Sequence, residues 1–280
     1  MLSEAQIAAR AQGIGASEAV ILFPEIPNSY STPYQLWMQK TGKLDSNFEM
    51  NDFQWWGHEL EPAIAKRYEY ETGETLEYRP DTVIHPKLPF MLCHPDRYVF
   101  GQRKLVEIKT ANFSGDEWGE SGTDQIPPAY LLQVQHQLAC TGYDEADLIV
   151  FFLNFRETRI YPIKRDHFLV EAIENRITSF WNNNVLADVA PELTALSDFK
   201  LAFKKNSDLF IEATPEIAEC INQLRDIRER MKIEEEIEET ILMKICTFLG
   251  DAPGLMQDGK NLATWKFDKN GKRTFRISKR

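Results

Sequence analysis

The chain has 280 residues, enough for one large domain, or one domain with an appendage, around a sizeable buried core. With 43% hydrophobic and 27% charged residues it has the make-up of an ordinary globular protein, and a net charge of −11 excludes a protein that coats nucleic acid over its whole surface. The four cysteines, at 93, 140, 220 and 246, are too scattered for a zinc or iron–sulfur site and fit a reducing compartment.

The N-terminus lacks the basic and apolar regions of a secretion signal, and no apolar run approaches membrane-spanning length, so a soluble, cytoplasmic protein is expected. Charge is uneven. Residues 260–280 hold eight Lys/Arg against one acid, which leaves −18 on residues 1–259. An acidic body with a basic tail permits a local nucleic-acid contact, and equally a tail that binds its own body.

In chain order, Gly13-Ile14-Gly15-Ala16-Ser17-Glu18 reads as a glycine turn opening a short helix, with Ser17 as N-cap. A helix should start at Thr32-Pro33, with Pro33 at N1 and Gly42 past its end. Residues 51–72 have helical period, with Trp55, Trp56, Leu60, Ile64, Ala65 and Tyr68 on one broad face and Gly73 as C-cap. Pro62 must kink this helix or begin its second half, and Glu61 lies at that break.

A strand is predicted at 82–85 and a hairpin over 96–110, turning at 100–103. The polar stretch 111–126 reads as a loop of the length that usually has a function. A helix over 129–141 ends at Gly142, 146–153 reads as a buried central strand paired with 158–163, and 166–183 as an amphipathic helix. Apolar residues three or four apart from Ile217 to Phe248 predict one helix over 215–249, about 50 Å long. A free-standing coiled coil would need more strict heptads. Asn270-Gly271 between two alternating runs marks a basic hairpin within 260–280.

The chemistry concentrates at His94-Pro95-Asp96 and Leu105-Val106-Glu107-Ile108-Lys109-Thr110. Strand period puts Glu107 and Lys109 on one face and Ile108 on the other. Two carboxylates are hard oxygen ligands for Mg²⁺, and an ammonium beside them can orient or help deprotonate an attacking water, which is the equipment of phosphodiester cleavage. The competing reading is a surface salt-bridge ladder. Two Asp-x-Lys triplets, 198–200 and 258–260, rival the set, but they lie in polar, loop-like sequence with no Pro-Asp before them.

Glu61 is a candidate third carboxylate, otherwise a solvated helix residue. Gln133 and Gln137, at i and i+4, could hold a water or a phosphate oxygen, or form an ordinary polar face. Arg10 and Ser17 flank the glycine turn and could bind a phosphate, or simply cap it. His94 reads as structural, because a hard-metal site prefers oxygen.

In this order, Gly13 to Ala19, Trp56-Gly57-His58-Glu59-Leu60-Glu61-Pro62 with Tyr68 and Thr72-Gly73, Cys93-His94-Pro95-Asp96, Leu105 to Thr110 and Tyr130-Leu131-Leu132-Gln133-Val134-Gln135-His136 resemble the phage lambda exonuclease/YqaJ-type viral recombinase family of PD-(D/E)xK nucleases. The resemblance covers about residues 8–185. It implies a restriction-endonuclease-like α/β core, a central mixed sheet flanked by helices, as a nuclease domain over 1–190. A C-terminal extension over 191–280, the long helix and the β-hairpin, would pack on it.

It further implies a Mg²⁺-dependent 5′→3′ exonuclease on linear double-stranded DNA, leaving a 3′ overhang for recombination. Two Mg²⁺ per site are implied, replaceable by Mn²⁺. Asp96, Glu107 and the Ile108 carbonyl would be metal ligands, Lys109 would position the water, Glu61 would complete the second metal site, and Gln133 would be the active-site glutamine. Arg10 and Ser17 would hold the 5′-phosphate of the DNA end.

The family's usual glycine after Pro-Asp is Arg97 here. A ring of three subunits, a single-strand annealing partner and a phage or prophage origin in a bacterial host are implied in the same way. The alternatives are an endonuclease or DNA-end processor on the same core, and a non-catalytic DNA-end-binding module.

Overall fold

The computed structural model describes residues 12–27, 31–44, 51–112, 115–205, 208–268 and 271–278. The chain divides into two compact units, Met1–Lys205 and Asn206–Arg280.

The first unit is built on a five-stranded mixed sheet. Its strands are β1 (Leu76–Glu77), β4 (Arg97–Val99), β5 (Lys104–Ala111), β6 (Glu145–Phe152) and β7 (Glu157–Lys164), in spatial order β1-β4-β5-β6-β7. β2 (Val83–Ile84) and β3 (Leu92–Cys93) form a separate antiparallel pair. The predicted hairpin is β4–β5, in antiparallel register Arg97↔Val106 and Tyr98↔Leu105. β5 and β6 run parallel, so the chain must cross over between them. The crossover is helix α4 (Pro128–Thr141), which ends at Gly142 with φ 66°, a left-handed conformation that costs glycine little.

Side chains of β5 alternate between two covers. Leu105 joins a core with Val134 and Leu138 of α4. Val106 and Ile108 join Ile64, Ala65 and Tyr68 of α3 (Asp52–Thr72) on the opposite face. α3 runs unbroken through Pro62. Its apolar face is only half used. Ile64, Ala65 and Tyr68 are buried, while Trp55 and Trp56 in its first turns are exposed, so the predicted broad face is buried in its second half alone.

Outside α4, a further core gathers α1 (Ala16–Ala19), α2 (Pro33–Lys40), β3 and α5 (His167–Phe180). α4 is therefore covered on both sides, and its buried Gln135 and His136 are bonded: Gln135 donates to the Lys164 carbonyl at 2.7 Å, and His136 Nε2 lies 2.9 Å from the Leu92 carbonyl. Burial pushes the His136 imidazole down to about 4. α1 starts two positions earlier than predicted. Gly15 is its N-cap, and its amide donates to the Glu18 carboxylate at 2.8 Å, so Ser17 lies inside the helix and is not its cap.

A six-residue π-helical turn, Trp181–Leu186, continues α5. α6 (Leu196–Ala202) occupies sequence expected to be loop-like, so the 198–200 triplet is helical. Asp198 is fully buried. Its carboxylate accepts from Thr32 Oγ1 and Gln35 Nε2, each at 2.8 Å, and from the Thr194 and Ala195 amides at 3.0 and 3.1 Å. These bonds hold the chain as far as Lys205 in the first unit.

The second unit comprises α7 (Pro215–Leu249) and an antiparallel sheet of β8 (Gly254–Gln257), β9 (Lys260–Phe267) and β10 (Arg273–Ile277), in order β10-β9-β8. The long helix and the hairpin follow the sequence pattern, and β8 is an addition. Leu249 and Ala263 are its buried apolar centre.

Burial alone would raise the Asp198 carboxyl, but the bonds from Thr32, Thr194, Gln35 and Ala195 outweigh it and hold the group below its ordinary value. A carboxyl depressed in the folded state stabilises above its unfolded value, about 3.9, and loses that contribution as pH falls through the folded value. Asp198→Asn should therefore cost about 2–3 kcal/mol at pH 7 by urea unfolding, and the gap to wild type should narrow below about pH 4. A gap independent of pH would show that the charge is not what the site uses.

Candidate active site

β5 leaves its apolar pattern at two positions. Glu107 and Lys109 share the α4 face, opposite Val106 and Ile108, as strand period requires. Glu107 is 2% exposed, so its charge needs partners. Lys109 Nζ donates to Oε1 at 2.7 Å, Gln133 Nε2 donates to Oε1 at 2.5 Å, and Gln137 Nε2 donates to Oε2 at 2.7 Å. The i, i+4 spacing on α4 sets both amides over the same carboxylate. Gln137 Oε1 is buried without a hydrogen-bond partner among the described residues. Lys109 Nζ also lies 5.9 Å from the Tyr130 ring centre.

Asp96 immediately precedes β4. Its Oδ2 accepts from the Ile108 amide at 2.8 Å, which fixes the carboxylate against β5. Burial pushes the Asp96 carboxyl well above the usual range, and the charge of Glu107 adds to this, while Lys109 acts in the opposite sense. Burial disfavours the Lys109 ammonium, but Glu107 and Asp96 more than offset that, and its pKa is raised. Lys109 is thus held as a cation, a hydrogen-bond donor.

Glu61 stands apart. It lies on α3, the helix covering the Val106/Ile108 face, and its Oε1 accepts from Arg97 Nη1 at 2.6 Å. Its other oxygen is 3.9 Å from His58 Nδ1. Among the described residues no three His, Cys, Asp or Glu side chains form a group that could hold a metal. The structure therefore brings together Asp96, Glu107, Ile108, Lys109 and both candidate amides, Gln133 and Gln137, and sets Glu61 against Arg97. The contact between Arg97 and Glu61 has no precursor in the sequence pattern. Ser17 is exposed on α1, and Arg10 lies outside the described residues. His94 shares a 2.7 Å hydrogen bond with Thr82.

The donor set fits a hard divalent ion: two carboxylates in mutual repulsion, one deeply buried, and no soft ligand, with the main chain of Ile108 bonded to one of them.

A mixed sheet with an acid–acid–lysine set on its central hairpin, flanked by α3 and α4, defines a restriction-endonuclease-like core. The chain belongs to the YqaJ-like viral recombinase family. The model of the YqaJ-like viral recombinase domain matches residues 7–144. The uncharacterized protein YqaJ of Bacillus subtilis (strain 168) is 30% identical over 230 residues, spanning 79% of this chain and 70% of that protein. The alkaline exonuclease LHK-Exo of Laribacter hongkongensis superposes with a TM-score of 0.53 at 25% identity, covering 67% of this chain and 94% of that one. LHK-Exo in complex with dAMP gives 0.54 at 24% identity over the same shares. Among the described residues no helix is long and apolar enough to cross a membrane.

An ion that binds only the folded site raises stability by about 2.7 kcal/mol at a hundredfold excess over Kd. Mn²⁺ should accordingly raise the melting temperature of the wild type, and Asp96→Asn should abolish that rise, both read by differential scanning calorimetry. A rise retained in the variant would remove Asp96 from the ligand set.

Proposed function

We propose that this protein is a divalent-metal-dependent exonuclease that digests one strand of linear double-stranded DNA from 5′ to 3′, leaving a 3′ overhang for phage-type recombination. The observation that carries the reading is the buried Glu107, bonded at once by Lys109, Gln133 and Gln137, with Asp96 fixed on the amide of the intervening Ile108. A solvated salt-bridge ladder has no use for two amides and a buried carboxylate. The similarity to LHK-Exo, named an alkaline exonuclease, supports the choice of reaction.

Asp96, Glu107 and the carbonyl of Ile108 would hold the ion, Mg²⁺ or Mn²⁺. The ion supplies Lewis-acid stabilisation of phosphoryl charge and lowers the pKa of a bound water. Lys109, kept cationic by its two acidic neighbours, orients the attacking water and faces the developing negative charge. Gln133 and Gln137 hold Glu107 in one rotamer, so that ligand and lysine keep their spacing. The 5′→3′ direction rests on Arg10 and Ser17 as the 5′-phosphate site. The 3′ strand left behind is the substrate of a single-strand annealing protein, the partner we assign. In a ring of three subunits, an acidic exterior would repel DNA while local Lys/Arg line the channel.

The readout is digestion of linear duplex carrying 5′-phosphate or 5′-hydroxyl ends, beside closed circular duplex, with and without Mg²⁺. Wild type should digest only linear DNA, only with the ion, and faster from 5′-phosphate. Asp96→Ala and Lys109→Ala should each lose about a thousandfold or more in rate while still binding ends. Full activity in either variant, checked for an unchanged melting curve, would overturn the assignment, and nicking of circular DNA would favour an endonuclease on the same core. Arg10→Ala should reduce the 5′-phosphate preference. An unchanged preference would remove Arg10 from the phosphate site.

A further inference from the structure

Arg97 opens β4 and pairs with Val106, so it stands on the sheet face that α3 covers. There its Nη1 donates to Glu61 Oε1 at 2.6 Å and to the main-chain carbonyl of Asp96 at 2.5 Å. Its guanidinium carbon lies 5.1 Å from the centre of the Tyr78 ring. The side chains of Arg97 and Glu61 are 13% and 22% exposed, so this is a largely shielded ion pair, gripped from three sides.

A carboxylate beside a cation site can ligate the ion, repel a neighbour, or be neutralised by a fixed cation. Glu61 and the Asp96 carbonyl share one Arg97 nitrogen, yet Glu61 joins no three-ligand group among the described residues. Arginine stays charged under all working conditions, and a dication meeting it across one carboxylate is repelled twice as strongly as a unit charge. A second ion on Glu61 would have to break a charge-assisted hydrogen bond shielded from water.

We propose that Arg97 is the second cation of this site: its guanidinium neutralises Glu61, and the DNA-free protein loads one divalent ion, on Asp96 and Glu107. The inference rests on those two carboxylates being the metal ligands, as the proposed function has it. Arg97 acts through Glu61 and the Asp96 carbonyl and is a positioning residue. An ion pair that merely ties β4 to α3 would change stability on removal and leave the number of bound ions alone.

The test counts Mn²⁺ bound to the full chain without DNA, by titration calorimetry and by the electron paramagnetic resonance of free Mn²⁺, which needs no turnover. Wild type should bind one ion. Arg97→Gly should bind two, and Arg97→Gly combined with Glu61→Gln, which removes both charges of the pair, should return to one with a Kd within about twofold of wild type. Two ions on the wild type, a tenfold weaker ion in that double variant, or a single ion in folded Arg97→Gly would each overturn the proposal. Should Arg97→Gly fail to fold by circular dichroism, the wild-type count and Arg97→Gln combined with Glu61→Gln, which also removes both charges, decide alone. Asp96→Asn separates the two readings. If it retains the ion, the metal site itself is misplaced. If it loses the ion while the double variant also weakens binding, the site stands and the role of Arg97 falls.

Discussion

A charged pair placed in a strand covered on both faces is the constraint from which the rest of the first unit follows. Glu107 and Lys109 sit in β5, between α3 on one side and α4 on the other. A buried ion pair is weak evidence for stability, since well-packed apolar residues of similar volume would serve a core as well or better. What the pair requires is satisfaction of every remaining lone pair. α4 meets that demand with Gln133 and Gln137, because it crosses over the β5 face that Glu107 occupies. That crossing is the one a parallel β5–β6 pair needs in any case. α4 is then sealed from outside by α1, α2 and α5, which in turn forces partners for Gln135 and His136. One acidic position in a strand thus dictates the polar content of a helix two layers deep.

The same alternation explains why the acidic residues do not pool. Glu107 belongs to the α4 face, while Glu61 and Arg97 belong to the α3 face, and the sheet lies between them. Asp96 connects the two sides. Its carboxylate is bonded to the Ile108 amide of β5, and its carbonyl accepts from Arg97. Arg97 therefore sets the environment of Glu61 while the Asp96 carboxylate stays bonded to β5. It fits the hairpin register because β4 begins at that residue, on the face that α3 covers.

Much of this was legible in the sequence, for physical reasons that differ by element. The β4–β5 hairpin, α4, β6 and β7 have lengths of several residues and clear periods, and glycines at 73 and 142 mark helix ends with positive φ. β1, β2 and β3 are only two residues long, too short to display a period of two, and only β2 fell within a predicted run. α6 looked like loop because its role is carried by Asp198, which reads as a surface acid until four donors are seen converging on it. The i, i+4 pair of glutamines was visible, but its target was not. Periodicity places two amides on one face and says nothing of the buried carboxylate they meet. Arg97 was conspicuous only as a departure from pattern, and its partner lies 36 residues away on another element.

The charge balance of the site reconciles an acidic protein with a polyanionic substrate. With both carboxylates ionised, Asp96 and Glu107 against Lys109 leave the metal-free site one negative charge in excess, while Glu61 and Arg97 on the α3 face cancel each other. That balance repels a phosphodiester. A single divalent ion held as proposed would turn it to one positive charge, which would attract a phosphodiester and stabilise the negative charge that grows during cleavage. A second ion with Arg97 still in place would leave three positive charges around one phosphate, and product carrying a terminal phosphate would then leave slowly. A net charge of −11 gives the chain little general attraction for DNA, so the charge of a loaded ion would count most at the site of cleavage itself.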